Sequence, residues 1–353
     1  MPSIINFFLP ALIAFAATYG IGKILLKPAF ARYFIEEPGG NKLHRNPVPA
    51  SGGIALFIGI LFTALLFEGS LLFQNYFYIL LAFVLLFLLG LIDDLKPLGW
   101  MVKLGAQLIL IIGAVLLADL RIESILLDYS FFKIPYISSV FLSIGVLIFF
   151  INAFNFIDGI DGLATTVALL FILGLMYFRI PFSPIFLMCT GAGLFAFRRL
   201  NKSPAKIFMG DSGSLSIGFL CATLFILFCE GDVHVSSTNL YSDQLRLPIA
   251  LTLFWYPIFD TLRVLLIRLS SGKSLFKRDK KHSYSLLLRV GYSHNQIVIV
   301  VVLLTICQLA ICLLVAPRVG LIYYFMFQVV IWLGLHGMLF YIVQNHKKIS
   351  NNS

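Results

Sequence analysis

Charge is scarce in this chain. Only 12% of its 353 residues are Asp, Glu, Lys or Arg, whereas 60% are hydrophobic and 35 are Phe. Soluble domains carry about twice that charged fraction, so a water-soluble globular fold is excluded. Alternation of apolar and polar residues is missing too. The apolar stretches run unbroken for about 18–22 residues, the length of a membrane helix, which excludes a transmembrane β-barrel. Met1–Leu26 has neither a basic start nor a small-residue cleavage site and reads as a retained helix, not a removed signal. There is no CxxC pair. Cys189, Cys221, Cys229, Cys307 and Cys312 lie in or beside apolar stretches and read as packing residues, leaving thiolate–metal or redox chemistry unsupported. No Walker-type glycine loop, internal repeat or low-complexity segment is visible. The net charge of +10 follows membrane topology, so no nucleic-acid partner is expected.

What is present is an all-α polytopic membrane protein, expected as a single domain over 1–353. Eleven spans are expected, at 5–26, 51–68, 72–92, 104–119, 138–156, 163–180, 182–197, 212–230, 247–269, 295–316 and 319–343. Some are short for a hydrocarbon core of about 30 Å, so tilted helices and half-buried ends are expected. Loops 27–50, 93–103, 198–211 and 270–294, with the tail 344–353, hold 18 Lys and Arg residues; the opposite side holds Arg121, Lys133, Arg179, Arg246 and Arg318. The positive-inside rule makes the richer side cytoplasmic, with the N-terminus outside and the C-terminus inside.

Every polar cluster falls on that cytoplasmic side. Asn152-Ala153-Phe154-Asn155-Phe156-Ile157-Asp158-Gly159-Ile160-Asp161-Gly162-Leu163 closes a long apolar run with two Asn and two Asp at three-residue spacing. Steps of three on a helix drift by about 60°, so Asn152, Asn155 and Asp158 can share a face. Carboxylates at the mouth of a membrane helix are costly unless they bind something, and Mg²⁺ with substrate phosphates is one such use. A second cluster is Asp93-Asp94, with Lys103 and Gln107 opening the next span. Adjacent carboxylates repel, so a metal or Lys103 is expected on one of them, leaving the other to act as a base. In Asn201 through Ser214, Asp211 suits either an N-cap or a metal–phosphate complex, and Phe208 suits either a nucleobase or the lipid. In the first loop Lys42, His44 and Arg45 suit an anionic headgroup or phosphate, and Gly52-Gly53 opens a helix whose free N–H groups favour anions. The last large loop, with Lys280, Lys281 and His282, suits a diphosphate or an acidic headgroup. Asp260 and Arg263, at i and i+3 in apolar surroundings, read as a structural ion pair.

Taken together, these five clusters, in order over about residues 36–295, resemble the polyprenyl-phosphate N-acetylhexosamine-1-phosphate transferases, the MraY/WecA group of glycosyltransferase family 4. The resemblance implies a bacterial cytoplasmic-membrane enzyme with its active site facing the cytoplasm, built on loops 27–50, 93–103, 156–162, 198–211 and 270–294. It implies transfer of a sugar-1-phosphate from a UDP-amino sugar to undecaprenyl phosphate, with release of UMP. The cofactor implied is Mg²⁺, with Mn²⁺ as the substitute. Asp211 then corresponds to the metal ligand, with Asp158 beside it, and Asp93, Asp94, Asp158 and His282 to catalytic residues. Lys42, His44, Lys103, Asn152, Asn155, Asp161, Asn201, Phe208, Lys280 and Lys281 fall in the substrate-binding group, and a homodimer is the oligomer to test. One departure stands out. The family's His-x-His-His element reads His282-Ser283-Tyr284-Ser285 here, so two imidazoles are missing. That favours the amino-sugar branch, which starts cell-surface polysaccharides, over the MurNAc-pentapeptide branch of peptidoglycan synthesis. The competing readings are an ion-coupled secondary transporter and a catalytically lapsed relative. A transporter would need its acids near the midplane, whereas these lie at helix ends.

Overall fold

Proline, glycine and the length of the apolar runs set where the helices stop. The computed structural model describes residues 4–36, 47–127, 130–231, 243–270, 272 and 282–352. α1 (Ile4–Leu25) and the short α2 (Pro28–Ala31) lead into a two-stranded antiparallel ribbon of β1 (Ile35–Glu36) and β2 (Val48–Pro49). α3 (Gly52–Leu95) and α4 (Trp100–Leu117) follow, then a hairpin of β3 (Ser124–Leu127) and β4 (Ser130–Lys133). α5 (Tyr136–Ile157), α6 (Leu163–Tyr177), α7 (Pro184–Asn201) and α8 (Gly210–Glu230) form the middle of the chain. After a 3₁₀ turn (Asp243–Leu245) come α9 (Arg246–Leu253), α10 (Trp255–Ser270), α11 (Ser283–Arg289), α12 (His294–Val319) and α13 (Leu321–Asn352).

Among the described residues, seven helices are long and apolar enough to cross a membrane, or eight if the bent pair α9–α10 is one span. The protein is therefore an all-α polytopic membrane protein. α3 has 44 residues. Straight, it would be roughly 66 Å long, about twice the hydrocarbon core. Non-helical backbone at Glu68 (φ −134°) and Tyr76 (φ −131°) breaks it, so that the expected spans 51–68 and 72–92 fall on its two arms. α9 and α10 meet at 72°. Pro257 explains the break: its ring clashes with the carbonyl four residues back, at Leu253, where α9 ends. α7 starts on Ser183, whose Oγ accepts from Phe186 N at 3.0 Å, with Pro184 in the first turn. Ser293 and Gln296 form a reciprocal capping box on α12.

α8 is the central helix. Its most apolar window is 89% buried, against 6–39% for the other six crossing helices. Glycine and serine make this packing close. A Cβ on Gly53 would fall on the backbone nitrogen of Gly213, and one on Gly90 would fall on the backbone of Asp211. Without water to drive burial, membrane helices gain from such close backbone contact between small residues. Both arms of α3 are thereby held against the first turns of α8, which carry Asp211.

Candidate active site

The ends of α3, α4, α5 and α8 meet at one point, where a single ammonium group on α4 joins α3 to α8 and the Asn155 amide joins α5 to α8. Lys103 Nζ lies 2.9 Å from Asp93 Oδ2 and 2.7 Å from Asp211 Oδ1. Asn155 Nδ2 donates to the same Asp211 Oδ1 at 2.6 Å and to Ser214 Oγ at 2.6 Å. Asp93 is only 9% exposed, and its other oxygen accepts from Leu98 N at 2.6 Å. One turn further along α4, Gln107 Oε1 accepts from Asn152 Nδ2 at 3.1 Å. Asn152 thus faces α4 while Asn155 faces α8, and the expected common face is divided between two neighbouring helices.

Asp94 has a different task. Its Oδ1 accepts from Asp211 N at 2.6 Å and its Oδ2 from Ser212 N at 3.0 Å. The N-cap of α8 is Met209, whose side chain makes no capping bond, so α3 supplies the cap from outside the helix. Asp211 lies in the first turn, which corrects its reading as an N-cap. Gly210 makes the approach possible. Its φ is +75°, and a Cβ there would sit 2.7 Å from Asp94 Oδ2. Asp94 therefore positions the Asp211 turn, and of the adjacent pair it is Asp93 that faces Lys103.

The anion site expected at Gly52-Gly53 is not there. Gly52 N donates to the Phe208 carbonyl at 2.9 Å and Gly53 N to the Met209 carbonyl at 2.7 Å, so both amides are already paired. Phe208 N in turn donates to the Pro49 carbonyl at 2.9 Å, which ties β2 to the segment before α8.

Asp158 caps the C-terminus of α5, half-buried, with its N–H on the Asn155 carbonyl at 3.3 Å. Asp161 lies on the same turn. Its Oδ2 accepts from Ala205 N at 3.1 Å and lies 3.2 Å from His294 Nδ1. Burial works to raise the Asp161 carboxyl; the hydrogen bond and charge of His294, with Ser203 and the Ala205 N–H, outweigh it and hold the group below its ordinary value. Asn201 is 2% exposed and serves the backbone. Its Oδ1 accepts from Gly162 N at 2.9 Å and Thr165 Oγ1 at 3.2 Å, and its Nδ2 donates to the Ile207 carbonyl at 2.9 Å. That arrangement uses both lone pairs of its carbonyl and one of its two N–H donors, and places it as a brace rather than at an open uridine site. Gly162, at φ +74° with the Arg198 guanidinium against it, leaves no room for a side chain.

His282 is on the far side of this turn. Its ring stacks on Tyr284 at 5.4 Å and 11° and lies 5.6 Å from Phe156. Tyr284 hydroxyl donates to the Phe156 carbonyl at 3.1 Å. Asp260, expected beside Arg263, is the carboxylate that holds His282, at 2.6 Å. Two site residues escaped the sequence reading. His294 lies inside the Ser293–Gln296 capping box, a signal of helix start but not of chemistry, and Gly90 looks like any other glycine in an apolar helix. Lys42, His44, Lys280 and Lys281 lie outside the described residues.

The donor set suits Mg²⁺. That ion is commonly bound through one or two carboxylates completed by water and substrate phosphates. Asp93 and Asp211 converge on one cation, the Lys103 ammonium, in this structure. Among the described residues no group of three His, Cys, Asp or Glu side chains forms a self-sufficient metal cage. A phosphate-completed ion fits; a structural metal does not.

This geometry brings carboxylates and a lysine together against a polar turn at the ends of membrane-crossing helices. Residues 76–229 match the sequence model of glycosyl transferase family 4. The chain is 30% identical over 301 residues to decaprenyl-phosphate N-acetylglucosaminephosphotransferase of Mycobacterium tuberculosis (strain ATCC 25618 / H37Rv), covering 75% of this chain and 72% of that protein. It is 29% identical over 286 residues to the probable undecaprenyl-phosphate N-acetylglucosaminyl 1-phosphate transferase of Bacillus subtilis (strain 168), covering 76% and 74%. With undecaprenyl-phosphate alpha-N-acetylglucosaminyl 1-phosphate transferase of Escherichia coli (strain K12) it shares 27% over 281 residues, covering 76% and 73%. The chain belongs to glycosyl transferase family 4.

Proposed function

We propose that this protein transfers N-acetylhexosamine-1-phosphate from a UDP-sugar to a polyprenyl phosphate, releasing UMP, on the cytoplasmic side of a bacterial membrane. The observation that carries the reading is the Lys103 bridge between Asp93 and Asp211 at the meeting of three helix ends. The named activities of the relatives support the sugar-1-phosphate transfer and favour N-acetylglucosamine over a MurNAc-pentapeptide donor. They also weigh against a transporter or a lapsed enzyme.

In the reaction an oxygen of the lipid phosphate bonds to the sugar-bearing phosphorus of the donor. The bond from that phosphorus to the bridging oxygen breaks, and the electron pair leaves with UMP. Both reactants are anions, so their approach must be screened and their oxygens aligned. Lys103 faces the phosphates as a fixed cation. Asp93 orients that ammonium and accepts a proton from the lipid phosphate when it arrives protonated. Mg²⁺, held by Asp211 with Asp93 or Asp158 beside it, would supply charge neutralisation on the diphosphate. Asn155 fixes the rotamer of Asp211, and Asp94 fixes the turn it stands on. Initiation of a cell-envelope polysaccharide is the role this chemistry suits.

The test is UMP release by the detergent-purified full-length protein with undecaprenyl phosphate, Mg²⁺ and a panel of UDP-N-acetylhexosamines. UMP should appear only with lipid, metal and one or a few donors. Asp211→Asn should lower turnover by at least about 100-fold, in the range seen when a charge-stabilising group is lost, with an unchanged melting temperature. Full activity in that variant would remove Asp211 as the metal ligand. No UMP with any donor would remove the transferase reading.

A further inference from the structure

Asp260 is fully buried in α10. A charge in such a place is costly unless donors surround it. Here they do. Oδ2 lies 2.6 Å from His282 Nδ1, and Oδ1 accepts from Ser283 N and from Ser283 Oγ, both at 2.6 Å. The Tyr256 hydroxyl is 3.0 Å from Ser283 Oγ and closes the group from the α10 side. His282 is 6% exposed. One edge of its ring is bound to α10, and its faces meet Tyr284 and Phe156. Tyr284 is itself tied to the Phe156 carbonyl and packed so tightly on Gly159 that a Cβ there would fall on its hydroxyl. The imidazole is thus clamped against the turn that carries Asp158.

We infer that Asp260 is a positioning residue of the transfer site: it keeps the proton on His282 Nδ1 and sets the ring plane, so that Nε2 is the nitrogen that, once it has taken up a proton, donates to a substrate phosphate oxygen. The chemistry of the acceptor demands the first part. A carboxylate only accepts, so the ring nitrogen facing it carries the hydrogen. A histidine ordered in this way by a carboxylate is the usual means of assigning one nitrogen to structure and the other to chemistry. Tyr284, at the place of a missing imidazole, stiffens the arrangement from the other side. The inference rests on the transferase reading for its phosphate and on the geometry alone for its tautomer.

Asp260→Asn separates these. The Ser283 N–H keeps the remaining oxygen, so the amide nitrogen faces His282 Nδ1 and drives its proton to Nε2. The full-length protein would be labelled with ¹⁵N-histidine, and His282 identified as the resonance pair missing from His282→Gln. At a pH where the ring is neutral, the wild type should show a protonated Nδ1 and an unprotonated Nε2, and Asp260→Asn the reverse. Asp260→Asn and His282→Gln should each lower kcat about 10- to 100-fold, the range for outer partners of a functional histidine, with KM for the donor within about twofold. The double variant should be no slower than His282→Gln alone. A wild type with the proton on Nε2, or losses that multiply in the double variant, would overturn the inference. The wild-type spectrum is decisive even where Asp260→Asn does not fold. A wild type that releases no UMP sinks the transferase reading and leaves the tautomer result to judge the Asp260–His282 pair.

Discussion

Asp93 and Asp94 are neighbours in the chain and diverge in the fold. Successive helical residues are turned by about 100°, so one carboxylate reaches Lys103 on α4 while the other reaches the first N–H groups of α8. Asp94 accepts with both oxygens, and an amide in its place keeps only one acceptor. Asp94→Asn should therefore destabilise the protein by about 1–3 kcal/mol, the cost of leaving a buried donor unsatisfied. The melting temperature of the detergent-purified variant reads this directly. Lost turnover at an unchanged melting temperature would instead make Asp94 a reacting group. Asp161 belongs to the same scale but gives a pH signature. Its pKa is lowered in the folded protein, burial opposing and His294, Ser203 and Ala205 N–H prevailing. Its contribution to stability is therefore present above the ordinary carboxylate value and is lost as pH falls through the lowered one. Asp161→Asn should melt lower than wild type at neutral pH and converge with it in acid. Parallel melting curves across that range would show that the carboxylate contributes nothing.

At the scale of elements, the close contact of α3 with α8 is what brings Asp93, Lys103 and Asp211 together. Gly90 touches the Asp211 backbone so closely that a methyl group would have to displace it. Gly90→Ala should cost about 1–3 kcal/mol, as overpacking against a rigid neighbour does, and should lower turnover with it. Gly113→Ala is the control: a Cβ there meets nothing within 4 Å. In a helix interior alanine is favoured over glycine by about 1 kcal/mol, so that variant should melt at or above wild type. Equal effects from the two would mean that helix propensity, not contact with α8, governs position 90.

Topology is a property of the whole molecule. The positive-inside rule makes the basic loops cytoplasmic, and the Lys103 bridge lies at the same ends of the helices. In a background with Cys229 and Cys307 changed to Ser, Lys133→Cys should react with a membrane-impermeant thiol reagent in intact cells. Lys202→Cys should react only after the membrane is opened. Both side chains are exposed, so accessibility to reagent depends on the side of the membrane. The reverse labelling would invert the orientation.

The membrane class, the helical segments, the polar clusters and the family resemblance were legible in the chain, because they depend on run length, composition and local spacing. Asn152 to Leu163 and Gly210 to Ser214 could be singled out for the same reason: their residue types are costly at a membrane helix end unless something binds them. Lys103 could be read as a partner of the Asp93-Asp94 pair, and it meets Asp93; the partners of the other polar groups were not legible. Asp260 stands three residues from Arg263 and 22 from His282, yet it holds His282, because the chain returns so that the start of α11 meets α10. Asn201 and the Gly52-Gly53 amides looked like ligand-facing groups and turned out to be paired with the protein's own backbone. Hydrogen bonding is directional and short in range, so which donor meets which acceptor depends on how helices distant in sequence pack. At the Asp211 turn that packing depends on the glycine contacts of α8 with α3, which no local pattern encodes.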